Sequence, residues 1–372
     1  MPASRERALF VGSSAFDLPL PPPLERKWRA VGAEIDIRIL ARAGRVSAPD
    51  PRFRLFRPSA LGGVGWYARL PGLVHDECRR FRPDVVVAQN AFDAFAALPG
   101  LRGIDPRPRL VVELHGDTAL SARAYGSPLR RAYAPLADHA ARFALRRADA
   151  TRAVSDATAD VARAATGREP EARFAAYVDL DTFMNGSTRP LPHRPAVAWI
   201  GALERVKDPD AVVEAWQAVE RVLPSARLFI VGDGRLRERL ESLTATTESI
   251  QVLGRLTADE VRRVIDDSTL LCVTSVSEGG PRVAVESLSC GRPVVAFKVP
   301  GLSALVADGR SGRLVPRRDI DALGGALLEL LRDRDLAERL GAQGRVDVRA
   351  NIMSADGYAA AVGDMVRRVS AA

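Results

Sequence analysis

Short β-branched or apolar runs alternate with helix-patterned stretches along most of this chain, and that rhythm restricts it to few folds. In the first half the runs fall at residues 8–11, 35–39, 85–88 and 110–114, and in the second at 196–200, 227–231, 250–253, 270–273 and 294–297. Runs that are apolar on both faces, separated by helical stretches, make parallel sheets covered on each side by crossover helices. Between the halves, residues 187–195 carry Pro190, Pro192 and Pro195 and break both periodicities, as a linker does. At 372 residues the chain also exceeds the roughly 250–300 at which one hydrophobic core stops growing. The expected fold is therefore α/β, with two doubly wound, Rossmann-like domains facing a central cleft: an N-terminal one over 1–187 and a C-terminal one over 188–349. A helix over about 350–372 is free to pack back on the first. In such sheets ligands sit beyond the carboxyl ends of the strands, so the strand-to-helix loops are where function is to be sought.

Composition excludes several function classes. The net charge of +8 invites a nucleic-acid reading, but the basic residues are spread along the chain among acidic ones, with no basic stripe and no stacking-aromatic pattern. Three scattered cysteines, Cys78, Cys272 and Cys290, lack metal-ligand spacing and suit a reducing compartment. No run approaches about 18 apolar residues, and the apolar stretch after the N-terminus is too short for a signal peptide. A cytoplasmic location follows as the expectation. Peripheral contact with an anionic inner membrane face stays open beside it, because residues 53–70 mix aromatics, arginines and glycines. The four histidines are scattered and give no zinc site, and Asp179-Leu180-Asp181 spells a D-x-D outside any metal-binding context, so no metal is expected. Phosphate-loop and nucleophile-elbow motifs are missing.

The densest functional signal is Glu278-Gly279-Gly280-Pro281-Arg282-Val283-Ala284-Val285-Glu286. Proline suits a first helical position, so a helix is expected from Pro281 to Ser289, ended by Cys290-Gly291 and followed by the buried strand at 294–297. Glu278 then precedes the helix and Glu286 rides on it. Free N–H groups and the dipole at that N-terminus make a seat for a diphosphate, and two carboxylates can grip hydroxyls around it. Gly232-Asp233-Gly234 lacks the third glycine of a dinucleotide fingerprint and reads as a tight turn.

Several further runs stand in order with this one: Gly201 to Asp208, Val231 to Gly234, Leu253-Gly254-Arg255, Gly291 to Ala296 and Asp308 to Val315. As a set they resemble the retaining glycosyltransferase family 4, the group 1 glycosyltransferases, whose members have the GT-B fold. The likeness covers most of residues 196–345. Weaker echoes lie at His115-Gly116, Val154-Ser155, and Val178-Asp179 with Phe183.

The resemblance implies a nucleoside-diphosphate sugar donor, UDP- or GDP-linked, a hydroxyl acceptor that is a glycan, a lipid-linked molecule or a small molecule, and no separate cofactor. It implies that Glu286 holds the ribose hydroxyls, while Glu278 and the backbone at Gly279 and Gly280, with Pro281, Arg282 and Val283, hold the sugar and diphosphate. Lys207 matches the family lysine on the diphosphate, Gly254 and Arg255 lie where the base sits, and Gly201 and Gly232 line the turns beside them. His115 matches a histidine near the donor sugar, with Asp117 a weaker acceptor-side candidate. The sequence departs from the family at Ala202, where an arginine is usual, and Arg205 is the nearest replacement charge. A front-face reaction is implied, in which the departing phosphate takes the acceptor's proton and Lys207, Arg205 and the helix N-terminus stabilise its charge. Two other readings stay open: a sugar-nucleotide epimerase of the same fold, and a non-catalytic nucleotide-sugar or glycan-binding protein.

Overall fold

The computed structural model describes residues 5–57, 62–115, 134–184, 188–278 and 280–372. The chain divides into two units, Met1–Tyr177 with Met353–Ala372, and Val178–Ile352.

The first unit runs β1 (Arg7–Leu18), α1 (Pro22–Glu34), β2 (Asp36–Val46), β3 (Phe53–Phe56), α2 (Gly62–Phe81), β4 (Val85–Ala88), α3 (Ala91–Ala97), β5 (Arg109–Leu114), α4 (Ala134–Arg147), β6 (Ala150–Ala153), α5 (Asp156–Thr166) and β7 (Ala172–Arg173). Among the described residues these strands form one parallel sheet in the order β3-β2-β1-β4-β5-β6-β7. The order reverses direction between β1 and β4, the switch point at which ligands bind in such sheets. Central strands read as unbroken apolar runs because helices cover both faces: Val85, Val86, Val87 and Ala88 are all buried. Alternate side chains of β1, β4 and β5 enter two separate cores, one under α2, α3 and α4 and the other under α1.

The second unit runs α6 (Asp181–Met184), β8 (Ala196–Ile200), α7 (Pro209–Val222), β9 (Arg227–Val231), α8 (Arg237–Thr244), β10 (Ile250–Gly254), α9 (Ala258–Asp266), β11 (Leu270–Val273), α10 (Arg282–Ser289), β12 (Val294–Phe297), α11 (Pro300–Ser303), β13 (Gly312–Val315), α12 (Ile320–Arg332) and α13 (Arg334–Asn351). Its parallel sheet has the order β10-β9-β8-β11-β12-β13, with the switch between β8 and β11. Local chemistry sets the helix ends. Thr257 and Glu260 form a reciprocal capping box at the start of α9, and α10 ends at Cys290 with Gly291 at φ 72°, the left-handed region glycine enters without steric cost.

The last helix, α14 (Ala355–Ala371), belongs to the first unit. Ser354 caps it by accepting from the Gly357 N–H at 3.0 Å, and its spacing places Tyr358, Val362, Met365, Val366 and Val369 on one buried stripe beside Trp28 and Val31 of α1. Each such side chain contributes on the order of 1.5–3 kcal/mol by leaving water.

The break between units falls at Tyr177/Val178, earlier than the linker prolines suggest. Leu180 and Phe183 sink into the second unit's core, and the buried Arg292 guanidinium donates to the carbonyls of Arg189 (2.9 Å), Pro190 (3.0 Å) and Asp266 (2.8 Å), tying the proline-rich stretch to that unit. The structure also extends β1 through Gly12, Ser13 and Ser14, where a loop is expected. There the Ser13 N–H donates to Asp93 at 3.2 Å and the pairing with β2 shifts register between Val11 and Ala15. Residues 53–56, at the start of the aromatic and arginine-rich stretch, form the edge strand β3.

Candidate functional site

The carboxyl edge of the second sheet brings together much of what the sequence singles out. The turn after β8 runs from Gly201 to Asp208 and is pinned from two sides. The Leu203 N–H donates to the Asp233 carbonyl (3.0 Å), and the Val276 N–H to the Val206 carbonyl (2.9 Å). Gly232, at φ 141°, lies so close to this turn that a Cβ there would stand 1.8 Å from the Gly201 carbonyl oxygen, which only glycine permits. Thr274 fixes the turn's end: its hydroxyl bonds the carbonyls of Lys207 (2.9 Å) and Asp208 (2.7 Å), and it accepts from the Trp199 indole N–H at 2.8 Å.

This scaffold presents Lys207 to Glu278. The Lys207 ammonium pairs directly with Glu278 Oε1, which also accepts from the Ser275 hydroxyl at 2.7 Å. The carboxylate side chain is 10% exposed and the lysine 23%, so this is a partly desolvated pair in which charge interactions exceed those of a surface bridge. Four residues after Glu278, α10 begins at Arg282, with Pro281 as its N-cap at φ −74° and not its first helical residue; no side chain caps this end. The leading N–H groups of the helix thus remain for an external anion. Glu286, one turn into α10, is buried apart from its contact with Arg282, whose Nε donates to Glu286 Oε1 at 2.7 Å. Burial raises the Glu286 carboxyl above the ordinary carboxylate range against the pull of Arg282. Gly201, Gly232, Gly254 and Arg255 lie at the carboxyl ends of β8, β9 and β10, Gly254 at φ 72° and bonded through its carbonyl to the Gly232 N–H at 2.8 Å, while Gly280 stands just ahead of α10 and Val283 in its first turn. Gly279 lies outside the described residues, as do Gly116 and Asp117.

Arg205 lies on the same turn, between Leu203 and Asp208. It lines a cavity of about 300 Å³ with Asp208, Asp210, Arg239, Val276 and Arg318. Arg318 pairs with Asp208 at 2.8 Å and Arg239 with Asp210 at 3.3 Å. Burial pushes the Asp208 carboxyl up, and Arg318 partly offsets it. Ala202 is exposed. The D-x-D decoy is a helix start: the Asp181 N–H donates to Asp179 Oδ1 at 3.0 Å ahead of α6.

In the first unit His115 follows directly on β5. Its Nε2 is 3.3 Å from Glu113 Oε2, and the other oxygen of Glu113 accepts from Arg152 Nη1 at 2.5 Å. Burial works to raise the Glu113 carboxyl, but Arg152, His115 and Lys27 outweigh it and hold it well below the ordinary range. A second carboxylate, Asp93, is fully buried in the first turn of α3, where it accepts from the Ser13 N–H and from Asn90 Nδ2 at 2.5 Å. Burial pushes its carboxyl up to about 6. Sequence reading passes over Glu113, Arg152 and Asp93. The signal for the first two was available as single charged residues inside apolar runs, facing one another across β5 and β6.

Two family models match the chain: Glycosyl transferases group 1 over residues 187–347 and Glycosyltransferase Family 4 over residues 24–173. D-inositol 3-phosphate glycosyltransferase of Mycobacterium marinum is 32% identical over 188 residues, 46% of this chain and 38% of that protein. The chain spans about two fifths of the length of the curated relatives it first matches. Sucrose-phosphate synthase from Thermosynechococcus elongatus superposes with a TM-score of 0.80 at 19% identity, covering 99% of this chain and 100% of that one. Anabaena HepE in complex with UDP-glucose superposes at 0.70 and 18% identity, over 98% of this chain and 100% of that one. The fold is GT-B.

Proposed function

We propose that this chain, which belongs to the group 1 and family 4 glycosyltransferases through the two matches over residues 24–173 and 187–347, moves a sugar from a nucleoside-diphosphate donor to an acceptor hydroxyl, with retention at the anomeric carbon. The observation that carries this reading is the Lys207–Glu278 pair, Glu278 lying four residues ahead of an uncapped helix that bears the buried Glu286. A cation and a helix N-terminus suit a diphosphate, and two carboxylates, one ahead of the helix and one on it, suit two sets of hydroxyls. In this reading Glu286 takes the ribose hydroxyls and Glu278 the sugar. Lys207 exchanges its internal partner for the diphosphate and stabilises the charge that grows on the leaving phosphate. Acceptor recognition falls to the first unit, around His115 and the Ser13–Asp93 edge. UDP is the first base to try, since HepE was crystallised with UDP-glucose. Among the described residues no helix is long and apolar enough to cross a membrane.

Ala202 favours a second reading, a nucleotide-sugar-binding protein without turnover, because the family's arginine is replaced there by an exposed methyl group. Thermal-shift titration with UDP, GDP, ADP and dTDP and their common sugars separates the two. A ligand at about a hundred times its Kd stabilises the native state by about 2.7 kcal/mol, so one nucleotide series raises Tm in the wild type but not in Glu286→Ala or Lys207→Ala. Donor turnover lost in Glu278→Ala then supports the transferase. Binding without turnover, equal in wild type and Glu278→Ala, supports the second reading, and no stabilisation by any series refutes both.

A further inference from the structure

His115 sits at the end of a relay that the donor site does not explain. Its ring is 46% exposed at the carboxyl edge of β5, yet its Nε2 faces a carboxylate that is almost wholly buried. Glu113 is directly opposite Arg152 in the β5–β6 register, and both oxygens are engaged, one by Arg152 and one by His115. Arg152 is itself completely buried. Its second terminal nitrogen donates to the carbonyls of Phe174 (3.0 Å) and Ala175 (3.1 Å), and its guanidinium stacks 3.9 Å from the Phe174 ring and 5.6 Å from that of Tyr358 on α14. The Lys27 ammonium of α1 also lies over the Tyr358 ring, 5.1 Å from its centre. Such a cage costs desolvation, and each charge in it depends on its buried partner for compensation. It keeps Glu113 ionised, and an ionised carboxylate can only accept, so the ring nitrogen facing it must carry the proton.

We propose that Glu113, clamped by Arg152, is a positioning residue that fixes His115 in the tautomer with its proton on Nε2, leaving the Nδ1 lone pair as an acceptor for a substrate hydroxyl. The substrate half of this inference rests on the proposed glycosyl transfer; the tautomer half does not. Nothing is transferred to or from Glu113. It sets which edge of the imidazole accepts, so that a hydroxyl of the donor sugar or acceptor is oriented through its own proton.

The test is ¹⁵N NMR of the full chain without ligand, in weakly alkaline buffer. With four histidines in the sequence, His115→Asn identifies the His115 signals by subtraction. The expected wild-type spectrum shows Nε2–H. In Glu113→Gln the amide oxygen turns to Arg152 and the amide N–H to His115, so the proton moves to Nδ1. The same variant should lower kcat about tenfold or more, with any rise in KM confined to the substrate whose hydroxyl meets Nδ1. Should that variant not fold, Glu113→Gln with Arg152→Met removes both buried charges, and loss of the Nε2–H preference is expected there. An unchanged tautomer in the variants overturns the proposal, as does a kcat loss that merely follows a fall in Tm. An Nε2–H wild type that transfers sugar from no donor upholds the lock on His115 and overturns both the transferase reading and the role of Nδ1.

Discussion

Replacing Asp93 by asparagine should stabilise the first unit above about pH 6, by an amount that depends on pH in a defined direction. The carboxylate is fully buried, and burial lifts its carboxyl from 3.8 to about 6 in spite of the donors Ser13, Trp66 and Asn90. Below 3.8 both folded and unfolded chains hold the proton and no cost arises. Between 3.8 and about 6 the folded chain binds a proton that the unfolded chain has lost, so stability declines as pH rises. Above that range the whole cost is present, about 3 kcal/mol at about 1.4 kcal/mol for each pH unit. Asparagine carries no charge to bury. It still accepts from the Ser13 N–H but loses the bond from Asn90 and the favourable helix-dipole term, a setback of about 1–2 kcal/mol. The bond's share of that setback is the same at every pH, so the difference between two pH values isolates the charge. Urea unfolding, read by hydrogen exchange on the β4–α3 peptide so that the first unit is followed by itself, should show the variant gaining about 3 kcal/mol on the wild type between about pH 4 and about pH 8. A difference that stays constant with pH, or one that moves against the variant as pH rises, would refute the assignment of Asp93 as a buried charge.

Arg152→Ala leaves Glu113 buried without its counter-charge and should cost about 3–5 kcal/mol in urea unfolding, most of it recovered when Glu113→Gln is added. Gly301→Ala would place a Cβ 2.2 Å from the Glu278 carbonyl oxygen, so that backbone must give way; donor affinity by calorimetry should fall roughly tenfold while the first unit's exchange pattern is unchanged. Nucleotide binding should weaken as pH falls, because Glu286 must be ionised to accept ribose hydroxyls, and its raised carboxyl makes the loss begin above the ordinary carboxylate range; Glu286→Gln should flatten that dependence.

The legible part of this fold was the part written in unbroken apolar runs. The strands at 85–88, 196–200, 227–231, 270–273 and 294–297 coincide with β4, β8, β9, β11 and β12 because central strands covered on both faces have no polar residues to blur them. β3, β6 and β7 escaped for the opposite reason: they are short, and Arg54, Arg152 and Arg173 interrupt them. In the site, the Glu278–Glu286 stretch was readable because a carboxylate, a helix start and a second carboxylate within nine residues are a local property. Arg205 could not be placed in the same way, since its company of Asp208, Asp210, Arg239 and Arg318 is assembled from the start of α7, from α8 and from the segment ahead of α12. Asp93 and Glu113 are ordinary acids in the sequence, and only depth makes them unusual.

Because α14 completes the core of the first unit, the order of synthesis and the order of completion differ. The second unit, Val178–Ile352, is one uninterrupted stretch and has all its parts as soon as α13 leaves the ribosome, whereas the first waits for Tyr358, Met365 and Val369 to cover Trp28 and Val31. A nascent or truncated chain ending near residue 352 would therefore carry a finished C-terminal unit and an N-terminal one with an open apolar seam. Fusion partners or degradation tags placed after α14 would act on the unit at the other end of the sequence.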